Sequence, residues 1–98
     1  MKVARAIIAK NIRLMRGALG MTQEDLAGLA QIDRTYLIEI EHEEKSISAD
    51  KVEDLARAFG VEIYEMFHPD TAAAYQERHK HHAQAKLKTE RGSRKAKP

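Results

Sequence analysis

Residues 22–41, TQEDLAGLAQIDRTYLIEIE, decide how this chain folds. Thr22 is a preferred helix N-cap, and Glu24 and Asp25 follow it into a first turn where the helix dipole favours negative charge. Leu26, Ala27 and Ala30 then recur at helical spacing, so one side of this segment is apolar. Ala27 is small, as a close helix crossing requires. Asp33 repeats the capping signal, and Leu37, Ile40 and part of Glu41 supply the inner positions of the next helix. Between the two segments there is room only for a tight turn around Gln31. A helix placed in this way carries Arg34, Thr35, Ile38, Glu39 and His42 on its outward face.

The flanking sequence extends the helical pattern without a competing strand signal. Ile8, Ile12, Met15 and Leu19 fall at steps of four, three and four, which predicts an apolar face on a first helix, and Gly20 is placed to end it in a left-handed turn. After the polar run HEEKSI, Ser48 is the expected cap of a fourth helix with the stripe Val52, Leu55, Ala56 and Phe59, closed by Gly60. A short fifth helix is expected over 62–67, burying Val61, Met66 and Phe67. Five helices over about 65 residues match ordinary helix and loop lengths, so the expected class is an all-α, compact five-helix domain.

The 98 residues suit one domain, and 43% apolar content suffices for a modest core. Cysteine is absent, which removes disulfides, thiolate metal sites and thiol catalysis together and fits a reducing cytosol. Arg5, Lys10, Arg13 and Arg16 interrupt the N-terminal apolar stretch, so neither a secretory segment nor a membrane span is read there, and a cytoplasmic protein is expected. Charge is unevenly shared. Residues 1–67 hold nine Lys/Arg against twelve Asp/Glu, a net −3, whereas residues 68–98 hold eight against three, a net +5. With few apolar residues beyond Tyr75 and Leu87, the tail is expected not to extend the core. The boundary is therefore placed near Asp70, with a domain over 1–69 and a basic tail over 70–98 whose composition allows an exposed helix ending near Gly92.

The run MTQEDLAGLAQIDRTYLIEIEHEEKSIS, continued by VEDLARAFGVEIYEMF, resembles the Cro and phage-repressor (XRE) family of helix-turn-helix transcription regulators over roughly residues 5–67. Within it, MTQEDLA followed by DRTY is similar to the controller proteins of restriction-modification systems, which regulate their own operons as dimers. The resemblance implies a lambda-repressor-like fold, a homodimer and a palindromic double-stranded DNA operator. It matches Gln23 to a phosphate contact at the start of helix two, and Arg34, Thr35 and Glu39 to base-reading positions. Tyr36, His42 and Lys45 match backbone-facing positions, and Asp33, which caps the same helix, is counted with them as a DNA-binding residue. It also matches Arg16 and Glu41 to a buried salt bridge between helix one and the end of helix three. The departures are Gln31 and Glu43, which stand where relatives commonly have Gly, and Ile47 in place of a frequent Pro. A non-Gly residue in a left-handed turn costs roughly 1 kcal/mol.

The residue chemistry supports a groove-reading role independently. Arg grips guanine O6 and N7 with two hydrogen bonds, Thr offers a hydroxyl or a methyl, and Ile38 can touch the thymine methyl. Two residues stay open: Glu39 is either an acceptor for cytosine N4 or a tolerated charge, and Lys45 either holds a phosphate or neutralises Glu43 and Glu44. Ile63 and Tyr64 leave apolar surface on an element too short to cover it, and are expected to form a two-fold dimer interface.

No enzyme is expected, because the chain has no Gly-rich phosphate loop, acid pair or nucleophile and base arrangement. No cofactor or small-molecule ligand is indicated. His79, His81 and His82 in the run RHKHH give one i, i+3 pair, His79 and His82, but no carboxylate or Cys is spaced to complete a metal site, and a solvated basic helix face is the simpler account. Two functions remain. One is a sequence-specific DNA-binding regulator; the other is a protein-interaction module, such as an antitoxin or a regulator's partner, that uses the same face with Glu39, Glu43 and Glu44 as the binding charges.

Overall fold

Thr22, Asp33 and Ser48 each accept a backbone N–H from three residues further on, at 3.0, 3.1 and 3.2 Å. These caps start three of the helices in a computed structural model that describes residues 3–80. The helices are α1 (Val3–Ala18), α2 (Gln23–Ala30), α3 (Arg34–Glu41) and α4 (Ala49–Phe59), followed by a 3₁₀ helix, Ile63–Phe67, and by α5 over residues 71–80. Every regular element among the described residues is helical, and none is long and apolar enough to cross a membrane. Thr22 and Asp25 form a reciprocal capping box that satisfies two of α2's orphan donors at once.

One apolar cluster holds the elements together. Ile8, Ile12 and Met15 of α1 meet Leu26, Ala27 and Ala30 of α2, Leu37 and Ile40 of α3, and Val52, Leu55, Ala56 and Phe59 of α4, all buried. Leu19 and Val61 are half-buried against it. α1 packs on α3 and on the 3₁₀ helix, while α2 lies between α3 and α4. Asn11, fully buried on α1, donates its amide to the carbonyls of Met66 and His68 at 2.9 and 3.0 Å, and so ties the 3₁₀ helix to the bundle.

Two expectations are corrected. The fifth element buries Met66 completely but leaves Phe67 43% exposed. It is a 3₁₀ helix, whose three residues per turn bring Phe67 into line with the exposed Tyr64, so Phe67 follows Tyr64 outward. The chain past Asp70 also does extend the core. Thr71, Ala72 and Tyr75 are buried, although no continuous apolar stripe marks them in the sequence. A single large side chain suffices. The Tyr75 ring meets Phe59 edge-on at 5.8 Å, its hydroxyl donates to the Phe59 carbonyl at 2.8 Å, and Ala72 one turn earlier lets α5 come close. Arg78 lies over the same ring and His79 packs against it. Leu87, His81, His82 and the expected helix end near Gly92 lie outside the described residues.

Burial of Tyr75 raises the phenol's pKa above its ordinary value, an effect that the neighbouring Arg78 charge partly offsets. A raised folded-state pKa stabilises the fold fully below the unfolded value and loses that contribution as pH rises through the folded one. Stability is therefore expected to fall above about pH 10. Tyr75→Phe, which leaves the Phe59 carbonyl unpaired, is expected to cost about 1 to 2 kcal/mol at neutral pH and to flatten this alkaline fall. Thermal melts of both proteins from pH 7 to pH 11 measure it, and identical alkaline profiles would contradict it.

Candidate nucleic-acid interface

α2, the turn and α3 are held by one carboxylate. Glu41, 1% exposed at the C-terminal end of α3, receives Arg16 of α1 through two parallel bonds, Nε to Oε2 at 2.9 Å and Nη2 to Oε1 at 3.0 Å. Arg16 also donates to the Met21 carbonyl at 3.0 Å, just before α2. Gln23, on the first turn of α2, donates its amide to Glu41 Oε1 at 3.1 Å. Arg13 closes the set by donating to the Glu41 backbone carbonyl at 2.6 Å. The three helices thus converge on one side chain, and a planar guanidinium fork admits little rotation about it.

The turn between α2 and α3 carries the strain expected from its composition. Gln31 adopts φ 58° and ψ 46°, with its N–H bonded to the Gly28 carbonyl and that of Ile32 to Ala27. Glu43 repeats the conformation after α3 at φ 62°. Both are left-handed positions occupied by residues with a Cβ, each costing roughly 1 kcal/mol. The closing bonds and the buried Ile32 hold the first turn in place.

The outward face of α3 begins with Arg34 and Thr35, both exposed. Asp33 is engaged as the cap, accepting from the Tyr36 N–H. Ile38 and Glu39 are half-buried, and His42 is exposed at the helix end. Among the described residues Arg34 has no hydrogen bond or ion pair, so its charge is available at the start of the helix. Glu39 and Lys45 pair with each other at 3.5 Å. Glu43 and Glu44 are exposed and have no ion pair among the described residues. Tyr36 donates its hydroxyl to the Ser46 carbonyl at 3.4 Å, fastening α3 to the loop that follows it. Gln23 differs from its expected placement, since its amide turns inward to Glu41 rather than out from the face. Ile63 and Tyr64 lie apart from α3, 45% and 70% exposed, and share their surface with Phe67.

Sequence reasoning passed over Arg5 and Arg13, which served there only to break an apolar run. Both donate to carbonyls at or just beyond the end of α3, Arg13 to Glu41 and Arg5 to Glu43. The last carbonyls of any helix need partners, which was a usable signal, but which cations supply them depends on how α1 crosses α3.

Residues 9–69 match the family model described as a helix-turn-helix domain, and the chain belongs to that family. It is 38% identical over 65 residues to a Neisseria hypothetical transcription factor from Neisseria meningitidis serogroup B. That alignment takes in 66% of this chain and 61% of the relative, so the chain matches less than two thirds of the relative's length. The crystal structure of the hypothetical transcription factor NHTF from Neisseria superposes with a TM-score of 0.65 at 38% identity, covering 67% of this chain and 76% of that one. Both matches are consistent with the Cro-like resemblance, and neither carries a link to restriction-modification controllers.

Glu41→Ala would leave the Arg16 guanidinium mostly enclosed and the Gln23 amide without its acceptor. The expected loss is about 3 kcal/mol, the lower end for breaking a buried pair because Arg16 keeps its bond to Met21 and some contact with solvent. Urea denaturation measures it. A midpoint close to that of the parent protein would mean that the convergence on Glu41 is dispensable.

Proposed function

We propose that this chain is a sequence-specific transcription regulator that binds double-stranded DNA by laying α3 in the major groove. The observation that carries this reading is the exposed Arg34, without a hydrogen bond or ion pair among the described residues, beside Thr35 at the start of a helix whose orientation is locked from behind by Glu41. An unengaged guanidinium can form the bidentate contact to guanine, and a rigidly held helix limits the entropy lost when it does. The Neisseria relatives described as hypothetical transcription factors support the same reading. Thr35, Ile38 and Glu39 supply the further base-facing groups, with Tyr36, His42, Lys45 and the α2 start at Gln23 toward the backbone. Gln23 would act through its main chain and through Glu41, because its amide is already engaged.

A homodimer belongs to this proposal. Ile63, Tyr64 and Phe67 present adjoining apolar surface on a short element, and a two-fold interface there would cover it and set half-sites roughly 10 bp apart in a palindromic operator. Autoregulation and a cytoplasmic location follow from the regulator role and the controller resemblance. The domain division at Asp70 is carried forward with one change, that α5 docks on the domain and the basic remainder of the chain follows it.

A second reading rests on the exposed carboxylates of Glu43 and Glu44, which follow α3 and form no ion pair among the described residues. A protein partner with a basic surface would meet them, whereas phosphates would be repelled.

Selection from random duplexes separates the two. Enrichment of a palindrome is expected, and no enrichment would favour the protein partner. On the selected site Arg34→Ala is expected to cost about 1 to 3 kcal/mol and to relax one base position per half-site. An unchanged logo and affinity would remove α3 as the reader. Ile63→Glu is expected to shift the protein toward monomer in light scattering at micromolar concentration, and a parent protein that is already monomeric would remove this interface.

A further inference from the structure

Arg5 stands out among the described cations because its surroundings do not satisfy it. The described carboxylates offer it no ion pair. Its Nε is buried with no hydrogen-bond partner, and its two terminal nitrogens reach only neutral acceptors at long range, the Glu43 carbonyl at 3.4 Å and Ser46 Oγ at 3.3 Å. Bonds of that length are weak, and an unsatisfied buried donor is a cost that the resting rotamer carries. Arg16 shows how the same side chain behaves when it is structural, with a bidentate carboxylate and a third bond at 3.0 Å.

The position of Arg5 gives this poor fit a meaning. Ser46, which it touches, accepts the Tyr36 hydroxyl through its carbonyl and follows Lys45, whose ammonium lies 3.5 Å from Glu39. Arg5 therefore sits on the turn that follows α3, the turn that carries Lys45 and receives the Tyr36 hydroxyl, two residues already proposed to face the DNA backbone. A phosphodiester offers two anionic oxygens in a plane that matches the Nε and Nη2 fork. We infer that Arg5 is a phosphate-binding residue that leaves its weak tether on the Glu43–Ser46 turn to grip one phosphodiester of duplex DNA, with Ser46 as a neighbouring hydroxyl donor. This rests on the DNA-binding reading of α3. It adds a contact from α1, a helix that the reading otherwise uses only as support. The contact fixes position and carries no sequence information.

The test compares the parent protein with Arg5→Gln and Arg5→Lys, titrating the selected duplex and an unrelated duplex of equal length across a range of salt. Each phosphate neutralised contributes about 0.9 to the log-log salt slope. Arg5→Gln is expected to weaken both duplexes by a similar factor, leave the selected sequence unchanged and make the slope shallower by about one unit per protomer, which is about a three- to fourfold smaller loss of affinity between 50 and 200 mM salt. Arg5→Lys keeps the charge and is expected to keep the slope. A slope unchanged in Arg5→Gln overturns the inference and returns Arg5 to a loop tether. Modification of the parent protein by an arginine-selective dicarbonyl, read by peptide mass, is independent of whether the variants fold. Protection of Arg5 by the duplex supports the contact, and equal modification with and without duplex overturns it. If the parent protein binds no duplex at any salt, the DNA reading itself falls, a result distinct from normal binding with an indifferent Arg5.

Discussion

The buried carboxylate of Glu41 is the constraint on which the rest of the molecule depends. A charge that is 1% exposed cannot be left without partners, and the structure supplies Arg16 from α1, Gln23 from α2 and, at the backbone, Arg13. Each partner comes from a different turn of the bundle, so the crossing of α2 and α3 is set by hydrogen-bond geometry as well as by the apolar contacts of Leu26, Ala27, Leu37 and Ile40. Packing alone tolerates substitution and small rotations. A bidentate fork does not. The net stability from such a pair is modest, because desolvation offsets much of the attraction. Its value here is orientation, since α3 must present Arg34 and Thr35 at a defined angle if it is to read base edges.

The elements visible in the sequence were those set by local rules. Thr22, Asp33 and Ser48 cap as their residue types require, Gly60 ends α4 at φ 73°, and the i, i+3, i+4 spacings of α1 and α4 mark the faces that are buried. What stayed hidden depended on tertiary context. The 62–67 segment carries too few residues for its period to separate α from 3₁₀, and that difference alone decides whether Phe67 points in or out. Tyr75 has only the small Ala72 at helical spacing to flag it, and its burial depends on where the Phe59 ring and carbonyl lie. Gln23 was matched to its position correctly as a first-turn residue, but a side chain with both donor and acceptor groups takes whichever partner the fold brings close, here Glu41.

The charges around α3 bear on the balance between affinity and discrimination. The pairing of Glu39 with Lys45 is largely exposed and adds little to stability. Its consequence is electrostatic: it cancels one positive and one negative charge on the very face proposed to meet DNA, while Glu43 and Glu44 remain nearby. A face of this kind has a weak general attraction for phosphates, and non-specific binding is driven almost wholly by that attraction. Under the proposed function, a lasting complex would then draw on contacts that only the right sequence offers, through Arg34, Thr35 and a base partner for Glu39. α3 carries one Arg against two Glu, and the lack of net positive charge on it fits a selective reader better than a general DNA-coating protein.

α5 bears on the proposed dimer surface as well as on the core. Tyr75 fastens α5 to Phe59, and Thr71 bonds the Glu65 carbonyl, so this helix leaves the domain beside the exposed Tyr64 and not from a free end. Tyr64, Ala74 and Arg78 line one shallow concavity between the 3₁₀ helix and α5. A second copy docking on Ile63, Tyr64 and Phe67 would therefore meet α5 as well, which enlarges a surface that the 3₁₀ helix alone leaves small for stable association. Under the proposed function, choice of sequence would come from an α3 held rigid by Glu41, and general attraction for phosphates would have to come from elsewhere, for which the net +5 of residues 68–98 is the available source.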